Sequence, residues 1–268
     1  MGGAIKCGPN LKALEGLSDW FNCDNQGRGG EAAPIWGCSL QGRVCNAVMK
    51  GRTSTNVVGS WATGAPRWRN IAKSPAETRM WMNECVASGM VPWYHFIGAE
   101  DGLGADRRWQ EPGREFFDWL AGHDRHFKNK SSMASIAVVM GQRTQLFYQS
   151  PGEEDSSQSV QGLYYALLEG RFPFDFVHED RLDPERLSKY RALLLPNIAM
   201  LSDRQCQQIR DYARSGGSIM ASFETGLYDE DLNRRADFAL GDVFGIGKAE
   251  DAIGTNGNAY YALSLIHI

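Results

Sequence analysis

The sequence predicts an α/β protein made of two successive parallel-sheet units. Three observations predict it. Strand-then-helix patterns alternate three times over residues 1–127, and a small polar stretch, Lys128–Met133, interrupts them. The alternation then restarts in the order β-α-β-α-β-α-β, led by the wholly apolar Ile136-Ala137-Val138-Val139 within Ser135–Met140. Parallel strands need crossover connections, so repeated βα units imply a sheet covered by helices.

In the first unit, Leu17–Cys23 reads as a strand ending in Asp24-Asn25-Gln26, followed by a Gly-rich loop and a helix from about Pro34 to Val48. Thr55–Trp61 is the second strand, and a loop is expected through Arg69. Ser74 reads as the N-cap of the next helix, with Pro75 in its first position and Glu77 completing a capping box. Trp81, Cys85 and Val86 form its apolar face and Gly89 its stop. Val91–Ile97 is the third strand, running into Gly98-Ala99-Glu100-Asp101, and a helix with Phe116, Phe117, Trp119 and Leu120 closes the unit. The pattern fits both an open doubly wound sheet and the end of a barrel.

The second unit begins with a strand of the kind buried on both faces. A Glu- and Ser-rich loop leads to a helix with Val160, Leu163, Leu167 and Leu168 on one side. Phe174–Val177, a short helix over Asp183–Tyr190, and Ala192–Leu195 follow. Ser202 and Gln205 form a second capping box before a helix that Gly216-Gly217 stops, and Ser218–Phe223 is the fourth strand. This order is the opening of a flavodoxin-like, class I amidotransferase-like sheet.

Composition narrows the function. Hydrophobic residues make up 43% and charged residues 22% of the 268, as in folded proteins. A net charge of −4 and the lack of a basic stripe argue against a nucleic-acid partner. No apolar run is long enough for a bilayer, so no membrane partner is expected. The six cysteines form no C-x-x-C pair, which favours reduced thiols over disulfides or a metal site. Met1–Lys6 has no signal-peptide pattern, so a cytoplasmic protein is expected unless a leader lies upstream. The last six residues, Leu263–Ile268, are the translation of a transposase end sequence used in preparing sequencing libraries. They are expected to be an adapter remnant, which makes both ends arbitrary and leaves 134–262 as the second domain.

Several words of the sequence carry a family resemblance. Gln142-Arg143-Thr144-Gln145, Phe174-Asp175-Phe176-Val177-His178-Glu179-Asp180, Leu194-Leu195-Pro196-Asn197 and the run Gly216–Asp229 resemble the β-galactosidase trimerisation domain. That domain follows the catalytic barrel in glycoside hydrolase family 42 and related families. Cys23-Asp24-Asn25-Gln26, the run Pro34–Arg43, and Pro92-Trp93-Tyr94-His95-Phe96 resemble the last barrel units of the group called hypothetical glycosyl hydrolase 6, with a similar layout in some α-L-fucosidases. The resemblance implies that residues 1–127 are the last three βα units of a (β/α)8 barrel, that the chain is a fragment of an O-glycosyl hydrolase, and that the complete enzyme is a homotrimer.

Barrel sites lie at the C-terminal ends of strands, and glycoside hydrolysis generally uses two carboxyl groups. The candidates are Asp24 after the first strand and Glu100 after the third. Asp24 reads more readily as a turn cap or a partner that orients Arg28, and Glu100 as a solvated loop acid. The family 42 acid and nucleophile come from the fourth and seventh barrel strands. The fourth lies outside this chain, and the strand matching the seventh has no carboxylate, so that nucleophile is not carried over.

Asn25, Gln26, Arg28, Trp61, Arg67, Trp68, Trp93 and His95 are the candidate substrate contacts. Indole faces offer apolar area to sugar C–H bonds and Arg forks bind oxygens. His95 reads as either a core histidine or a substrate contact. Seven of the eight tryptophans precede residue 110, which concentrates such platforms in the first unit.

Gly141-Gln142-Arg143-Thr144 lacks the G-x-G-x-x-G spacing of a phosphate loop, and Ser222–Gly226 has no cysteine for a nucleophile elbow. No cofactor or metal is expected, and assembly is the expected task of the second domain. A decayed barrel that binds carbohydrate without cleaving it, or acts as a scaffold, is the alternative. A chain of two flavodoxin-like domains with no barrel is a further one.

Overall fold

The structure, a computed structural model, describes residues 11–26, 35–49, 51–62, 68–96, 107–127, 131–149 and 157–247. The chain divides into two compact units, Met1–Met133 and Ala134–Ile268. Among the described residues, no helix is long and apolar enough to cross a membrane.

Unit 1 contains α1 (Leu11–Leu14), β1 (Trp20–Asp24), α2 (Gly37–Val48), β2 (Thr53–Gly59), β3 (Trp61–Ala62), β4 (Trp68–Ala72), α3 (Pro75–Ala87), β5 (Val91–His95) and α4 (Gln110–His123). β1, β2 and β5 form a parallel sheet in that order. The region expected to be a loop through Arg69 instead holds an antiparallel ribbon of β3 and β4. Its strands are too short to show the alternation by which a strand is read from sequence.

One face of the sheet is packed by helices, and the other is packed only in part. Cys23 and Val58 point towards the helices, into a core with Cys38, Cys45, Trp81, Met82, Cys85, Met90 and Phe116. Gly113 lets α4 approach β5 closely, since a Cβ there would meet the Tyr94 ring at 2.6 Å. On the opposite face Trp20, Val91 and Trp93 remain 47%, 50% and 49% exposed. Asn22 and Thr55 share that face, the Thr55 hydroxyl donating to Asn22 Oδ1 at 2.7 Å.

Unit 2 contains β6 (Ile136–Met140), α5 (Gln142–Phe147), α6 (Gln158–Glu169), β7 (Phe174–His178), α7 (Pro184–Leu187), β8 (Ala192–Leu195), α8 (Asp203–Arg214), β9 (Ser218–Ala221) and α9 (Gly241–Phe244). The sheet is parallel throughout, in the order β7-β6-β8-β9. Ala137, Val139, Leu193 and Leu195 face a core with Leu201, Ile209 and Tyr212. Tyr164 of α6 packs against Phe174 and Phe176 of β7. Burial on two faces explains why β6 reads as an unbroken apolar run.

Two expected features shrink or change. The helix over Asp183–Tyr190 spans only Pro184–Leu187. The loop expected straight after β6 opens with α5.

Two buried glutamates complete helix ends from outside the helix. Neither α2 nor α5 has a side-chain cap from its own N-cap residue. Glu84 of α3 accepts the Ser39 N–H of α2 at 3.3 Å, and Glu179 after β7 accepts the Arg143 N–H of α5 at 2.9 Å. Such carboxylates satisfy amides that a helix leaves open. Burial nonetheless pushes both carboxyls up to about 7, against the lowering effect of those same amides.

Two predictions follow from this packing. A carboxyl whose folded pKa lies above its unfolded value stabilises fully below the unfolded pKa, and that contribution fades as pH rises through the folded one. Stability should therefore decline from about pH 4.5 to beyond the folded value of about 7. Glu84→Gln and Glu179→Gln should each remove on the order of 1–3 kcal/mol of that pH dependence. Urea unfolding at several pH values measures this, and an unchanged slope in both variants contradicts it. Separately, the Ser202–Gln205 capping box of α8 is fully formed. Ser202→Ala should therefore destabilise unit 2 by about 1 kcal/mol in the same assay.

Candidate functional site

The partly covered face of the unit 1 sheet brings several of the candidate residues into register. Asp24 pairs with Val57 and Val57 with Trp93, so these three side chains form one row across the sheet. The next row towards the C-terminal edge holds Gly59 beside His95, with the Gly59 N–H bonded to the Gln26 carbonyl at 3.1 Å. Asp24 is exposed at the end of β1.

Trp61 does not stand at the rim as an open platform. It is 1% exposed, and a Cβ on Gly59 would meet its ring at 3.0 Å, so glycine is what lets the indole lie over the end of β2. Its ring meets the edge of His95 at a centroid distance of 5.5 Å, and Trp93 lies 6.3 Å from the same imidazole. The buried Trp61 Nε1 and His95 Nδ1 have no hydrogen-bond partner among the described residues. Orphaned buried polar atoms of this kind call for a missing partner, such as water or a ligand hydroxyl. Asp24, Trp93 and His95 thus share one face in adjacent rows, with Trp61 covering its upper end.

Two residues overlooked in the sequence fix the strand ends from behind. Asn56 of β2 is fully buried, and its Oδ1 accepts the Asn25 N–H at 3.1 Å while its Nδ2 donates to the Asn25 carbonyl at 3.4 Å. The Asn56 amide also donates to the Cys38 thiol at 3.1 Å. Lys73 is 3% exposed, and its Nζ donates to the Gln26 carbonyl at 2.7 Å and to the Gly59 carbonyl at 2.6 Å. The ammonium also lies 5.6 Å from the centre of the Trp81 ring. One lysine therefore ties the segment after Asp24 to the end of β2. The available signal was a Lys set between the apolar Ile71-Ala72 and a capped helix start at Ser74.

Arg28, Arg67 and Glu100 lie outside the described residues, and so do Asp101, Lys128–Lys130 and the tail Leu263–Ile268. Trp68 is placed only by its backbone, at the start of β4.

The described thiols of unit 1, those of Cys23, Cys38, Cys45 and Cys85, are buried and free. Cys23 Sγ lies 2.8 Å from Cys45 Sγ, a contact that, with burial, raises the Cys23 thiol well above its ordinary range. Burial does the same to Cys38. Such groups pack as apolar side chains and are not nucleophiles at neutral pH. Among the described residues, no three His, Cys, Asp or Glu side chains converge to hold a metal.

In unit 2 the end of β6 is where doubly wound sheets place an anionic cofactor group. Here Glu179 takes the Arg143 amide, and the Arg143 guanidinium is paired with Asp180 at 3.0 Å. The protein's own carboxylate fills the position a phosphate would need. At the end of β9, Phe223 has φ 53°, the sharp turn of an elbow. The next residue, Glu224, is buried and accepts a hydrogen bond from the Tyr148 hydroxyl. The elbow shape is present without a nucleophile on it.

With this geometry in view, residues 134–254 match the family model of the beta-galactosidase trimerisation domain. Beta-galactosidase BgaB of Geobacillus sp. (strain Y412MC61) is 19% identical over 221 residues, which cover 74% of this chain and 32% of that protein. The structure of a beta-galactosidase from Bacillus circulans sp. alkalophilus superposes with a TM-score of 0.77 at 19% identity, over 92% of this chain and 39% of that one. Alpha-L-fucosidase isoenzyme 2 from Paenibacillus thiaminolyticus superposes with a TM-score of 0.58 at 18% identity, over 85% and 32% respectively. The chain spans about a third of the length of the curated relatives it matches, at 32%. Residues 134–254 are similar to the β-galactosidase trimerisation domain family, and the fold of the chain is one shared with β-galactosidases.

Proposed function

We propose that this chain is part of a glycoside hydrolase of the β-galactosidase or α-L-fucosidase kind, which cleaves an O-glycosidic bond with a pair of carboxylates. Unit 1 is the last three βα units of its (β/α)8 barrel, and unit 2 is a flavodoxin-like assembly domain of a homotrimer. One observation carries this reading. The parallel sheet of unit 1 is packed by helices on one face, while the other exposes Trp20, Val91 and Trp93 beside polar Asn22 and Asp24. A parallel sheet is otherwise covered on both faces, and a face left partly open that carries both apolar and polar side chains fits the inner wall of a barrel whose other strands lie elsewhere. The order β7-β6-β8-β9 supports the flavodoxin-like assignment of unit 2, whose filled anion position favours assembly over chemistry.

In this reading Asp24 supplies one carboxyl group and Glu100 is the second candidate. Trp93 offers its exposed face to the sugar, and His95 with Trp61 supplies hydrogen bonds at the end of the cleft. Asn25 and Gln26 hold the rim through the Asn56 and Lys73 contacts, with Arg28, Arg67 and Trp68 as further contacts.

The 268-residue chain alone should not hydrolyse nitrophenyl glycosides, because its inner wall is incomplete. The uninterrupted parent, with its remaining strands, should hydrolyse nitrophenyl galactoside or fucoside. In that parent Asp24→Asn should lower kcat by at least about a hundredfold, the scale of losing a general acid or base. Trp93→Ala should mainly raise KM. Turnover by the chain alone, or a parent that cleaves no glycoside, would overturn the proposal.

A second prediction concerns Lys73. Lys73→Met leaves the Gln26 and Gly59 carbonyls without this buried donor, and should destabilise the chain by about 2–4 kcal/mol in urea unfolding. A change within about 0.5 kcal/mol, the range of ordinary surface substitutions, would show that the lysine does not hold the strand ends.

A further inference from the structure

The loop end and first turns of α4 line an open cavity of about 560 Å³ with Arg107, Arg108, Gln110, Glu111 and Arg114. It holds three guanidiniums against one carboxylate, on a chain whose net charge is −4. The excess of positive charge is therefore local and not a general property of the surface. Glu115 on the same helix is paired with Arg79 at 3.1 Å, and among the described residues neither Arg107 nor Arg114 has an ion-pair partner. Arg107 and Arg114, with no carboxylate to fork onto among the described residues, retain their bidentate donors for a ligand.

The cavity is also fixed relative to the candidate cleft. Trp109, between Arg108 and Gln110, stacks on Phe96 with centroids 4.9 Å apart and planes inclined by 11°. The Tyr94 hydroxyl donates to the Trp109 carbonyl at 3.2 Å. Phe96 directly follows His95 at the end of β5, so the arginines stand at the C-terminal edge of the sheet, the edge that also carries Asp24. A rigid aromatic stack thus sets a cationic cavity beside the end of a sugar-binding face.

We propose that Arg107 and Arg114, with Arg108, bind the anionic substituent of an acidic saccharide, a sulfate ester or a uronate carboxylate. This deepens the glycosidase reading and rests on it, because it names the class of sugar chain that the cleft receives. Planar guanidiniums suit both anions by forked hydrogen bonding, and the open cavity admits a substituent that is still attached to a sugar chain.

The experiment has two parts. The 268-residue chain is titrated by calorimetry with a neutral galacto-oligosaccharide, its sulfated derivative, an oligogalacturonate of equal length, and inorganic sulfate. One or both acidic saccharides should bind at least about tenfold more tightly than the neutral one, and added salt should weaken them. The tighter of the two identifies the anion. The double variant Arg107→Ala/Arg114→Ala should lose the difference with an unchanged melting temperature, and Arg107→Lys/Arg114→Lys should keep part of it. Equal binding of neutral and acidic chains, inorganic sulfate binding as tightly as the saccharides, or an unaffected double alanine variant each overturns the proposal.

The second part compares kcat/KM of the uninterrupted parent on acidic and neutral glycosides, with and without the double alanine change. Equal turnover of both, unaltered by the change, defeats the acidic-substrate inference alone. Absence of turnover on any glycoside defeats the glycosidase reading instead.

Discussion

A parallel sheet buries its backbone hydrogen bonds between layers, and its side chains must find cover on each face. The two units of this chain meet that constraint differently. In unit 2 helices cover both faces, so β6 is apolar along its whole length and is almost wholly buried. In unit 1 helices pack one face, α2, α3 and α4 around Trp81, Cys85 and Phe116, and the other is covered only in part. The other face carries Trp20, Asn22, Asp24, Thr55, Trp93 and His95, a mixture that neither water nor an apolar core alone suits. The functional reading rests on that asymmetry.

Within each unit, buried polar groups do the positioning. Glu84 and Glu179 reach across from neighbouring elements to cap α2 and α5, at the expense of burying a carboxyl. Lys73 and Asn56 do comparable work at the ends of β1 and β2, where the chain leaves the sheet and its backbone groups take partners from side chains. These contacts make the segment Asn25-Gln26 part of the packed structure, although it lies beyond the last residue of its strand. Asp24, the last residue of β1, thus stands directly before an anchored segment.

The same polar logic separates the units by task. In unit 2, Glu179 occupies the amides at the end of β6, and the elbow at Phe223 presents a phenyl ring. The places where related sheets hold a phosphate or a nucleophile are therefore filled by the chain's own side chains. In unit 1, by contrast, polar atoms of Trp61 and His95 lie buried without partners among the described residues, beside an exposed Trp93. One unit has closed its candidate sites and the other has left one open.

Periodicity and punctuation in the sequence were enough to determine the α/β alternation, the second capping box at Ser202 and Gln205, and the doubly buried character of β6. Each depends on residues close together in the chain, where spacing and caps act locally. The match of residues 134–254 to the trimerisation domain was legible for the same reason, since its motifs fall in order. The ribbon of β3 and β4, the folding of Trp61 over Gly59, and the roles of Asn56 and Lys73 were decided by tertiary structure. Lys73 meets Gln26, 47 positions away along the chain, and Asn56 meets Asn25, 31 positions away. Local spacing says nothing about such pairs, because they form only when adjacent strands bring their ends together.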